Sequence, residues 1–85
     1  MPYIKKESRT NFATGLAALV DNIKDPGDLN YVITKLCIAY ANHRANSYST
    51  YNEVIGILEC AKLEFYRRVL SLYENNKITL NGDVY

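Results

Sequence analysis

Apolar residues recur along this chain at helical rather than strand spacing. Phe12, Leu16, Leu19, Val20 and Ile23 follow the i, i+4, i+7, i+8, i+11 progression of one helical face. They predict a first helix over about 8–24, with Ser8 as its N-cap. Leu29, Val32, Ile33, Leu36, Cys37 and Tyr40 form an unbroken apolar stripe and predict a second helix over about 26–43. Asp25-Pro26-Gly27-Asp28 separates the two: Pro26 suits a first helical turn, Asp25 becomes the N-cap and Asp28 lies near the positive end of the dipole. After a polar loop, Thr50-Tyr51-Asn52-Glu53 reads as a capping box with Thr50 as N-cap, opening a third helix over about 51–75. Tyr3 and Ile4 are expected to lie extended against the bundle. Beyond the third helix, Asn81-Gly82-Asp83 is a turn signal. Its apolar neighbours Ile78, Leu80, Val84 and Tyr85 predict a tail docked on the protein or on a neighbouring subunit. The pattern is all-α: one compact three-helix domain over 1–85, with a short docked C-terminal tail and no internal repeat.

The third helix carries more apolar surface than two short neighbours can cover. At 100° per residue, Val54, Leu58, Ala61, Phe65, Val69 and Leu72 form one stripe. Ile55, Leu63, Tyr66, Leu70 and Tyr73 form a second beside it. A surface helix ordinarily shows an apolar arc somewhat over 100° wide. Either the tail folds back over the excess or another subunit covers it; the expectation is a homo-oligomer, with Ile55, Leu63, Tyr66, Leu70 and Tyr73 as candidate interface residues.

Composition narrows the function classes. Ten Lys and Arg stand against nine Asp and Glu, so no strongly basic surface points to DNA or RNA. No stretch approaches the roughly 20 apolar residues that span a bilayer, and the first residues lack the apolar core of a signal peptide. The expectation is a cytoplasmic protein whose two cysteines, Cys37 and Cys60, stay reduced. Eight tyrosines and no tryptophan favour interfaces and flat ligand contacts.

Catalytic signatures are missing. The single histidine, His43, stands at the end of the second helix, where it can interact with the dipole. No nucleophile setting, zinc spacing, P-loop or dinucleotide fingerprint is present, which predicts a non-enzyme with no metal and no cofactor. Glu59 and Lys62 are spaced to pair. Glu64 can pair with Arg67 or Arg68, leaving the other free for a phosphate or carboxylate. On the second helix Tyr31 and Ile38 fall opposite the main stripe, flanked by Asn30, Thr34 and Lys35.

Several segments resemble a family of short uncharacterised proteins found in bacteria and their phages. They are Met-Pro-Tyr-Ile at the start, Asp25-Pro26-Gly27-Asp28-Leu29-Asn30-Tyr31, Asn52-Glu53-Val54-Ile55-Gly56, Leu58 to Glu64, Tyr66-Arg67-Arg68 and Asn81-Gly82-Asp83-Val84-Tyr85. The resemblance implies a bacterial or phage setting and supplies no activity. Small phage helical proteins that counter host defence include oligomers that sequester nucleotide signals, and this chain is similar to them in size, helicity and expected oligomerisation. Two readings follow. In the first, an oligomer sequesters a small anionic, nucleotide-like ligand. Lys62 would meet a phosphate, Tyr66 and Tyr31 would stack on a base, Asn30 would read a base edge, and Arg67 would act from a neighbouring subunit. In the second, the protein is an interaction module that docks on a host or phage protein through the apolar face of its third helix. A tyrosine-lined pocket with convergent cations favours the first, and a broad apolar face without them favours the second.

Overall fold

The computed structural model describes residues 3–85, and every regular element among them is helical. Met1 and Pro2, the start of the Met-Pro-Tyr-Ile segment, lie outside the described residues. A 3-10 turn, Lys6–Arg9, leads into α1, Thr10–Asn22. Then come α2, Pro26–Arg44, and α3, Tyr48–Phe65. A π turn, Tyr66–Leu70, joins α3 to α4, Ser71–Asn81. The chain divides into two units, Met1–Ala39 and Tyr40–Tyr85.

In the first unit, α1 starts two residues later than expected and without a side-chain cap. Arg9 is already helical (φ −65°, ψ −30°), so Ser8 never takes the extended geometry of an N-cap. Thr10 Oγ1 instead donates to the Glu7 carbonyl at 3.1 Å. Tyr3 and Ile4 lie in a bend rather than extended, and both are exposed. The junction between α1 and α2 follows the expected design. Ile23 turns extended, and its N–H is shared by the carbonyls of Leu19 and Val20. Asp25 Oδ1 accepts from the Asp28 N–H at 2.8 Å, and Asp28 Oδ2 accepts from the Lys24 N–H at 2.9 Å. These reciprocal bonds resemble a capping box with one residue more on the return side. A Cβ on Gly27 would meet Asp25 Oδ1 at 3.2 Å, so the cap favours a residue without one there. Leu19, Ile23, Val32 and Cys37 are half-buried in this unit; Phe12, Leu16, Val20 and Leu36 are exposed.

In the second unit, α3 begins three residues before the predicted start. Ser47 is extended (φ −136°, ψ 162°) and accepts from the Thr50 N–H at 3.4 Å. Thr50 therefore occupies N3 and is buried, and Glu53 is released from the capping role read from the sequence. A Ser at this position competes for the same function, and the earlier cap satisfies one more turn of amides.

The helix then continues from Tyr48 to Asn81, past the predicted end near residue 75. Gly82, at φ 87°, closes it. Most of the predicted tail is thus helix. Only residues 82–85 trail beyond it, and Val84 and Tyr85 are 94 % and 110 % exposed rather than docked on this chain.

The Asp25 cap provides a direct check on the α1–α2 junction. Asp25→Ala is expected to cost about 1 kcal/mol, read as a lower urea midpoint at unchanged slope.

Candidate functional site

The Tyr66–Leu70 turn changes which residues share a face. The Ser71 N–H bonds to the Tyr66 carbonyl, an i→i+5 bond that holds one residue more than an α-turn. Every side chain downstream is set back by roughly 100°. An uninterrupted helix would continue the Val54, Leu58, Ala61, Phe65 row through Leu72. With the π turn, Tyr73 takes that place, and Leu80, seven residues further, stays on the row. Beyond the turn Tyr73 therefore replaces Leu72 on the row and leaves the Ile55–Leu63 side.

The continuous row is open to solvent. Phe65 is 64 % exposed, Tyr73 56 % and Leu80 74 %, and Val69 in the π turn is 51 % exposed. Val54, near the start of α3, is half-buried. The five residues expected at an interface, Ile55, Leu63, Tyr66, Leu70 and Tyr73, are all exposed. Isolated exposed apolar residues are ordinary, whereas large apolar patches are of the kind that partners, ligands or other surfaces cover. Lys77 Nζ lies 5.5 Å from the centre of the Tyr73 ring, a cation–π contact that flanks the face.

The candidate ligand residues divide between the units. Lys62, Tyr66 and Arg67 belong to the second, but its two cations are already engaged. Lys62 Nζ is 3.0 Å from Glu59 Oε1, and Arg67 Nη2 is 2.9 Å from Glu64 Oε2. The Arg67 hydrogen bond, followed by the charges of Arg67 and Arg68, outweighs desolvation and lowers the Glu64 pKa from its ordinary value. Of the two arginines weighed for Glu64, Arg67 takes it, and Arg68 forms no ion pair among the described residues. Asn30 and Tyr31 belong to the first unit. Tyr31 lines a shallow depression of about 200 Å³ with Leu19, Asn22, Ile23, Asp28 and Val32. That lining contains a carboxylate and no cation, which disfavours an anion there.

Sequence reading missed a polar cluster where α2 meets α3. The Tyr40 hydroxyl donates to Glu53 Oε1, and Arg44 Nε donates to the Tyr40 oxygen at 3.0 Å. Arg44 Nη2 lies 3.5 Å from the same carboxylate oxygen, and the guanidinium sits 5.1 Å from the Tyr40 ring centre. The Tyr40 hydrogen bond, then the nearby charges of Tyr40 and Glu53, raise the Arg44 pKa. Asn46 Nδ2 donates to Asn42 Oδ1 at 3.0 Å in the same turn. Ala41 and Thr50 are buried there. The available signal was Tyr40 and Arg44 one turn apart, with an acid just across a short loop.

Among the described residues no group of three or more His, Cys, Asp or Glu is placed to hold a metal, and Cys37 and Cys60 are free thiols. No helix is long and apolar enough to cross a membrane.

The chain belongs to the family described as Domain of unknown function (DUF6899), whose model matches residues 1–84. No curated protein and no solved structure matches it.

Two measurements check this geometry. Tyr40→Phe removes the hydroxyl that links α2 to α3 and is expected to cost about 1 kcal/mol with helix content unchanged. Glu64 has a lowered folded pKa, so its contribution is present above the ordinary carboxylate range and is lost as pH falls through the lowered value. Its carboxyl carbon, followed by NMR, is expected to titrate at higher pH in Arg67→Gln than in the native chain.

Proposed function

We propose that this protein is a non-enzymatic interaction module that docks on a protein partner through the apolar face of α3 and α4. The observation that carries this reading is the exposed row of Phe65, Val69, Tyr73 and Leu80, running past the π turn. Covering such a row on a partner removes apolar area from water at about 25 cal/mol per Å². The aromatic residues near its middle are the kind that dominate interfaces.

The alternative, sequestration of an anionic nucleotide-like ligand, has less behind it. It needs a concave site where cations converge. Lys62 and Arg67 each face a carboxylate of their own helix, and the depression beside Tyr31 has Asp28 on its wall. A ligand there would share Lys62 and Arg67 with the carboxylates they already face.

A photoreactive phenylalanine analogue at Phe65 tests the reading in living cells. A protein adduct of one defined mass is expected, and Leu58→Asp should abolish it. Absence of any protein adduct, together with calorimetric binding of a nucleotide by the purified chain, would replace this reading with sequestration.

A further inference from the structure

Asn81 and Gly82 meet at the end of α4, and no other asparagine of this chain precedes a glycine. The Asn81 side-chain carbon Cγ is placed by covalent geometry so that attack by the Gly82 main-chain nitrogen closes a succinimide ring. Gly82 has no side chain to shield that nitrogen. Both residues are exposed to the water that the reaction consumes.

The helix end restrains this chemistry. Asn81 is the last residue of α4, and Gly82 leaves the helix at φ 87° and ψ 154°. The Gly82 N–H still donates to the Ile78 carbonyl at 2.9 Å. Ring closure needs that N–H to give up its proton and Asn81 to leave the helical backbone conformation. Both wait on the last turn opening. Helix ends fray, and terminal turns open at far lower cost than the whole fold.

We propose that Asn81 is a site of spontaneous deamidation, gated by opening of the last turn of α4. In the open turn the Gly82 nitrogen gives its proton to solvent base and attacks Asn81 Cγ. The new N–Cγ bond forms, the Cγ–Nδ2 bond breaks, and Nδ2 takes up a proton and leaves as ammonia. Water then adds to one carbonyl of the succinimide and reopens the ring. The product is aspartate or isoaspartate, the second with its main chain routed through the former side chain. Either product sets a carboxylate at the negative end of the helix dipole, where Asp83 already stands. Isoaspartate also lengthens the main chain at the cap. Both changes loosen the turn that carries Leu80, which is 74 % exposed on the apolar row. The chemistry holds whatever covers that row.

Site-resolved mass spectrometry of the full chain, aged at neutral pH with and without guanidinium chloride, tests the site and its gate. Conversion is expected at Asn81 ahead of every other asparagine, with an acidic shift of the intact chain on isoelectric focusing. Denaturant breaks the Gly82 hydrogen bond and frees the backbone, so it is expected to speed conversion on the order of tenfold. An isoaspartate-specific methyltransferase is expected to label residue 81, because the ring can open on either side. Gly82→Val shields the nitrogen with a branched side chain. Compared in denaturant, where the turn is open in both chains, it is expected to lose the label. Equal rates with and without denaturant would overturn the gate. An Asn81 that stays intact in denaturant, a product containing aspartate alone, or a Gly82→Val chain that converts as fast as the native one would overturn the site.

Discussion

The constraint on which the structure turns is the ratio of apolar side chains to places to bury them. Ala41 is the single buried apolar residue among those described, while Phe65, Val69, Tyr73 and Leu80 stand open along one helix. Each half of the chain makes well-formed helices, because helices satisfy their own backbone hydrogen bonds locally. Local satisfaction does not remove apolar side chains from water. Helices in proteins draw most of their stability from packing of an amphipathic face. A chain this short commonly gains the missing burial through association.

Local devices set where each helix begins and ends. Asp25 and Asp28 exchange hydrogen bonds across the α1–α2 junction, and Ser47 caps α3. At the end of α2, Tyr40, Arg44 and Glu53 link it to the start of α3 over buried Ala41 and Thr50. The role of Glu53 there depends on the cap. Were Thr50 the N-cap, Glu53 would fold back on the helix start. With Ser47 as cap, Glu53 is free to reach the Tyr40 hydroxyl.

Helix class, the α2 start at Pro26 and the Asp25 cap were legible in the sequence, because each rests on local chemistry: apolar period, fixed proline φ and a short polar side chain. The α3 start was misplaced because Ser47 and Thr50 offer equivalent capping oxygens three residues apart, and periodicity does not choose between them. The end of the helix was misplaced because Lys77 to Leu80 look like an apolar tail once polar Asn75 and Asn76 are taken as a stop. The π turn was invisible, since Tyr66 to Leu70 contains no proline or glycine to announce it. Missing it exchanged Leu72 for Tyr73 on the exposed row. Lys62 and Glu59 pair as their spacing allowed, and the same is true of Arg67 and Glu64. Sequence spacing could not decide whether those cations were committed to their own helix.

On the proposed reading, the α3–α4 face is covered by another protein chain, and a second copy is the case open to test with the purified protein. With a second copy on that face, stability would depend on protein concentration by mass action, since association stabilises only the folded state. The most direct measurement is the thermal unfolding midpoint across a hundredfold range of concentration. The account predicts a midpoint that rises steadily with concentration. A midpoint that stays constant across the whole range, with reversible unfolding, would contradict it.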